Sequence, residues 1–201
     1  AFVGNTPVTR LIQETNERLR FDTTNPSFHP VTGLGKNTDV RNLRPEYSVT
    51  SQIYCTDCHG SDDSVKAGRV GADGPHGSSY RYILIDQYEQ ISTQTYNSVD
   101  YSLCFRCHDP SLLLDSSGSW TNFGNGQKNS HKTHVTGHGE KAPCYACHDP
   151  HGVPAVRGAT TTNNAHLINF DVRFVDPGGI YDSVARSCTV SCHSGNQTKS
   201  Y

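Results

Sequence analysis

Cys144-Tyr145-Ala146-Cys147-His148-Asp149-Pro150-His151-Gly152 decides how this chain is read. Two thiols stand at positions i and i+3, and an imidazole follows at once. The same order recurs at Cys55-Thr56-Asp57-Cys58-His59 and at Cys104-Phe105-Arg106-Cys107-His108. A fourth copy, Cys188-Thr189-Val190-Ser191-Cys192-His193, has one extra residue between its cysteines. These pairs use all 8 cysteines of the 201-residue chain.

C-x-x-C-H is the attachment signature of c-type haem. Two thiols add to the two vinyl groups along one porphyrin edge, and the next residue places an imidazole under the iron. The longer Cys188–Cys192 spacing needs a small bulge but offers the same reacting groups. Zinc knuckles, redox dithiols and disulfide frameworks also pair cysteines, yet none requires His directly after each pair. With 11 His in 201 residues, four such placements arise by chance with a probability of roughly 10⁻⁵. The expectation is four covalent haem c groups on Cys55, Cys58, Cys104, Cys107, Cys144, Cys147, Cys188 and Cys192. His59, His108, His148 and His193 are then the proximal iron ligands.

The sixth iron position takes His or Met in such proteins. The chain has no Met. Seven histidines are left for four irons: His29, His76, His131, His134, His138, His151 and His166. An internal repeat selects among them. Phe28-His29-Pro30-Val31 before the first pair echoes Thr133-His134-Val135 before the third, and Pro75-His76-Gly77 echoes Pro150-His151-Gly152. A duplicated two-haem unit, over about residues 20–110 and 125–200, makes His29, His76, His134 and His151 a consistent distal set. His131 is the rival. It lies one helical turn from His134, and the two can serve haems on opposite sides, displacing His151 first. His151 is too close to His148 to reach the far face of the same haem, but it can reach a neighbouring one. His138 and His166 read as surface or packing residues.

Composition agrees. Only 33% of residues are hydrophobic, too few for an ordinary core, so the haems are expected to supply the missing apolar mass and the apoprotein to be unfolded. A formal net charge of −2 argues against a nucleic-acid partner. No apolar run is long enough to span a membrane. The small first residue, Ala1, fits a chain whose leader was removed. The fold class expected is mostly irregular coil with short α-helices and little β-structure, organised around a stacked haem chain. Residues 1–54 read as an N-terminal docking arm with an amphipathic helix over 7–19 (Val8, Leu11, Ile12 and Leu19 on one face). Residues 55–110 and 111–201 read as the two two-haem units. Tyr80–Ile85 and Leu167–Phe174 read as short strands or extended coil.

Taken together, the Cys104 and Cys144 motifs, His131-x-x-His134-Val135 and the closing Cys188-x-x-x-Cys192-His193 resemble the multihaem c-type cytochromes of metal-reducing bacteria, in particular their tetrahaem filament-forming members. The resemblance spans about residues 25–195. It implies an exported, extracellular electron-transfer protein that polymerises with copies of itself and passes electrons to other multihaem cytochromes and to acceptors such as metal oxides. It also implies a distal His shared between neighbouring subunits, for which His29 on the arm is the leading choice. The alternatives are a soluble periplasmic tetrahaem shuttle, or a haem reductase of small nitrogen oxides. An enzyme needs an open iron position, and no C-x-x-C-K motif marks one.

Overall fold

The computed structural model describes residues 8–91, 95–137, 142–191 and 198–201. Within them the chain is mostly irregular, with short helices and two small antiparallel sheets. The α-helices are α1 (Glu17–Arg20), α2 (Ser102–Phe105), α3 (Pro110–Leu113), α4 (Ser130–Thr136) and α5 (Cys144–Cys147). None is long enough to be stable alone, so each depends on its caps and its packing. Asn16 caps α1, Asp109 caps α3 with Pro110 following, and Asn129 caps α4. No helix among the described residues is long and apolar enough to cross a membrane.

One sheet pairs β1 (Ser27–Phe28) with β2 (Gly152–Val153). The other has the order β3 (Ile180–Asp182), β4 (Ser187–Thr189), β5 (Thr198–Ser200). Two modest apolar clusters serve as the core. Ile168, Phe170, Val175, Tyr181 and Val190 form one, with Cys147 and Cys188 packed on it. Tyr101, Phe105 and Val135 form the other, against Cys104 and Cys144. Four motif cysteines therefore lie against the little core the chain has.

The expected helix over 7–19 does not form; Pro7 lies outside the described residues. The backbone over 8–16 is not helical, and α1 begins only at Glu17. Arg10 bridges Asp171, Leu11 N–H donates to Phe170 O at 3.0 Å, and Val172 N–H donates to Thr9 O at 2.9 Å. Extended pairing carries Leu11 into the Ile168 cluster. The apolar spacing that suggested a helix is satisfied by that cluster instead. Tyr80–Ile85 and Leu167–Phe174, expected as short strands or extended coil, are extended only in part: Arg81–Ile83 forms a 3₁₀ turn, Leu167 closes another, and the chain turns again after Asp171. Neither contains a ladder strand, and each touches the chain through isolated bridges, Leu84 to His59, Ile168 to His148 and Asp171 to Arg10.

The N-terminal segment grips the middle of its own chain. The Arg10 guanidinium donates to Tyr145 O, to Asn169 O at 2.9 Å and to His148 O at 2.8 Å. Arg44 Nε donates to Phe105 O at 2.6 Å. Phe105 and Tyr145 hold the same place in their motifs, directly after the first cysteine. Each arginine thus satisfies carbonyls at the end of a short helix that has no further turn to accept them.

Candidate functional site

Three of the four motifs share one local shape. His59 N–H donates to Cys55 O at 2.8 Å, His108 N–H to Cys104 O at 3.0 Å, and His148 N–H to Cys144 O at 2.9 Å. Each bond closes one helical turn. Residues at i, i+3 and i+4 of a helical turn share a face, so both thiols and the imidazole emerge on the same side. The fourth motif begins differently. Cys188 lies within β4, opposite Tyr181 and Lys199. Cys192 and His193 lie outside the described residues, as does His138.

A backbone clip then fixes each of the three histidines. Gly60 N–H donates to Ile83 O at 2.8 Å, and Ile85 N–H to Cys58 O at 2.9 Å, with Leu84 bridging His59. Asp149 N–H donates to Leu167 O at 2.8 Å, and Asn169 N–H to Cys147 O at 2.9 Å, with Ile168 bridging His148. Asp109 N–H donates to Asn42 O at 2.7 Å, and Arg44 N–H to Cys107 O at 2.8 Å, with Leu43 bridging His108.

The clip also occupies one ring nitrogen. His59 Nδ1 lies 2.8 Å from Tyr82 O, and His148 Nδ1 lies 2.8 Å from His166 O. Both carbonyls come from dipeptides in the left-handed region: Tyr82 and Ile83 (φ 62° and 51°), His166 and Leu167 (φ 58° and 63°). Left-handed backbone at large or branched residues is strained, and here it turns a carbonyl toward the ring. At the second motif the turn is absent and the Asn42 side chain substitutes, its Oδ1 lying 2.7 Å from His108 Nδ1. A carbonyl acceptor at Nδ1 fixes the tautomer and leaves Nε2 as the metal-binding nitrogen.

His29, His131 and His134 also place Nδ1 against an oxygen of their own chain. His29 Nδ1 contacts Pro150 O, His131 Nδ1 lies 2.6 Å from Thr121 Oγ1, and His134 Nδ1 lies 2.7 Å from Ser130 O. His151 Nδ1 lies 2.6 Å from Glu17 Oε2. His76 differs. It is exposed, and its Nε2 lies 3.1 Å from Asp73 O. Gly152 packs so closely that a Cβ there would lie 2.2 Å from Arg20 O, whereas Gly77 has open space around it. The two Pro-His-Gly segments therefore have unlike surroundings. His166 Nδ1 lies 3.0 Å from Asn37 Nδ2, and its backbone carbonyl, not its ring, serves the clip.

The rings meet in pairs. His59 and His151 have centroids 6.1 Å apart, and His148 and His131 are also 6.1 Å apart, with planes 17° from parallel. Two imidazoles bonded to opposite sides of one iron, each about 2 Å from it, place their centroids about 6 Å apart. The donor set therefore fits a haem held between two histidines. Burial pushes His108 and His148 down to about 4 and His131 down to about 3, so all three are neutral, the form that binds metal. For His108 the next cause after burial is the proximity of His29. Within the chain the His29 backbone N–H donates to His151 O at 3.1 Å.

The chain matches no protein-family model, no curated protein and no solved structure.

The motifs are also neighbours in series. Burial, and after it Cys107, raise the Cys58 thiol to about 11. The Cys104 and Cys144 thiols are hydrogen-bonded to each other, and the bond with burial raises Cys104. Cys147 and Cys188 share one apolar cluster. First and second lie close enough to feel each other's charge, second and third are hydrogen-bonded, and third and fourth pack on one cluster. Among the described residues no disulfide joins any of these cysteines.

Several supporting residues were invisible in the sequence. Asn42, Thr121, Tyr82, His166 and Glu17 belong to no motif. Asp149 is another. It is 1% exposed and receives Arg20, Asn169 Nδ2 at 3.2 Å and His151 N–H at 3.2 Å, with Arg10 at 3.8 Å. Asp109, in the same His-Asp-Pro context, is only a helix cap.

Proposed function

We propose that this protein is a tetrahaem c-type cytochrome that conducts electrons and carries out no chemistry on a substrate at its irons. Bound haem supplies one-electron exchange between ferric and ferrous iron. The protein side chains would do the rest: eight cysteines would anchor the haems, and paired imidazoles would hold the irons.

The observation that carries this reading is the pair of 6.1 Å ring separations, each joining a motif histidine to one of the spare ones. The ligand pairs proposed are His59 with His151, His148 with His131 and His108 with His29. His134 is left for His193. Phe123 stacks on His134 and also meets Tyr201, whose N–H donates to Arg186 O beside Cys188. Two histidines per iron leave no position for a small nitrogen oxide, which favours conduction over catalysis. A zinc site needs four ligands, and among the described residues no three His, Cys, Asp or Glu gather to hold a metal ion.

The serial contacts support an electron path running in sequence order, first motif to fourth. Short paths between neighbours and rigid axial ligands suit hopping with little rearrangement. Assembly of copies into an extracellular filament, with other multihaem cytochromes and metal oxides as partners, rests on the family resemblance.

Two measurements test the proposal. Absorption and electron paramagnetic resonance spectra of the purified protein are expected to show low-spin iron alone; a substantial high-spin signal would return the enzyme reading. Electron microscopy without cross-linker is expected to show long ordered filaments, and discrete single-chain particles would make it a diffusing shuttle.

A further inference from the structure

We infer that Glu17 is a positioning residue that lowers the potential of the haem held by His59 and His151. This rests on the tetrahaem reading above and deepens it by assigning one site a distinct electronic setting.

The basis is an asymmetry among the ligand candidates. Six of them present Nδ1 to a neutral oxygen: Tyr82 O, Asn42 Oδ1, His166 O, Pro150 O, Thr121 Oγ1 and Ser130 O. His151 presents Nδ1 to a carboxylate, Glu17 Oε2 at 2.6 Å. That nitrogen is closed off from solvent, and the approach is too oblique to make a regular hydrogen bond. The electrostatic influence depends on distance and survives the poor alignment. A negative charge beside the outer nitrogen makes the imidazole a stronger donor and stabilises the ferric state.

The surrounding charges set the sign. Arg20 NH1 holds Glu17 Oε1 at 2.9 Å, leaving Oε2 for His151, while Arg20 NH2 contacts Asp149, which Arg10 also approaches at 3.8 Å. Two arginines and two carboxylates balance. Neutralising Glu17 leaves one excess positive charge near His151, which disfavours ferric iron relative to ferrous, so the potential rises. The ring also packs against Phe21, with centroids 5.2 Å apart, which limits its rotation.

The test is spectroelectrochemical titration of the purified haem-loaded protein, unaltered and as Glu17→Gln. Expected is an upward shift of one of the four midpoint potentials, with the other three fixed. Glu14→Gln is the control: Glu14 lies on the same segment but pairs with Arg157 at 2.8 Å, and it should move none. Should Glu17→Gln fail to fold, the unaltered protein still answers. One of its low-spin ferric signals should carry the shifted g-values of an imidazole with imidazolate character. Four low-spin haems with unmoved potentials in Glu17→Gln, or four signals of ordinary imidazole type, would overturn the inference and leave the tetrahaem reading standing. A protein without covalent haem would overturn both.

Discussion

The rings of His131 and His148 lie 6.1 Å apart and 17° from parallel, although 17 residues separate them in the chain. Helix α4 carries His131 toward the third motif, while His134, one turn later, stacks on Phe123 at 5.4 Å. In the proposed ligation this one helix supplies an imidazole to each of two haems. Replacing His131 with Ala should convert one haem of four from low to high spin. His134→Ala should convert a different one, and the double variant should show both. Electron paramagnetic resonance reads this directly, and an unchanged spectrum for His131→Ala would remove it from the ligand set.

His76 should be dispensable to ligation. Its ring is exposed and its Nε2 already meets Asp73 O at 3.1 Å. The His76→Ala protein is expected to keep four low-spin haems, whereas His151→Ala is expected to lose one. Loss of a low-spin haem in His76→Ala would restore the symmetric distal set drawn from the repeat.

Asp149 and Asp109 share a local sequence but not a role. Asp149→Asn leaves Arg10 and Arg20 facing each other without their shared buried carboxylate. Breaking a buried ionic cluster in this way costs about 3–5 kcal/mol. Asp109→Asn retains a side chain able to cap α3 and should be nearly silent. Guanidinium unfolding midpoints of the two variants check the ordering. Equal midpoints would mean that the N-terminal segment does not hold the third motif in place.

Asp62 gives a pH signature away from the ligands. Its carboxylate accepts from Ser79 Oγ and from Ser79 N–H at 3.1 Å, and those bonds hold it below its ordinary value of 3.8. A carboxyl lowered in the folded state stabilises the loop above the unfolded value, and that support is lost as pH falls through the folded one. Hydrogen exchange at the Ser79 amide, corrected for intrinsic rates, should show protection that disappears on acidification below 3.8 and is already weak in Asp62→Ala. Protection unchanged across that range would show that the bond carries no weight.

The single helical turn shared by three motifs was legible in the sequence, because C-x-x-C-H spacing puts both thiols and the imidazole on one face of a turn. Tyr80–Ile85 and Leu167–Phe174 were legible only where Leu84 and Ile168 run extended and bridge a motif histidine. Their left-handed dipeptides were not, because Tyr82 and His166 are residues that ordinarily avoid such backbone. The helix over 7–19 was misread because Leu11 has a distant partner, the Ile168 cluster, that no local periodicity can reveal. The repeat made His76 and His151 look equivalent. What separates them is strand β2, which pairs with β1 and brings Glu17 and His59 to one of them alone.

The central claim is covalent attachment of four haems to one chain. Intact-mass measurement of the natively produced protein under denaturing conditions tests it most directly. The account predicts one species, the 22.0 kDa chain plus the mass of four haem groups. A bare chain, or one that releases its haem on denaturation, would contradict it.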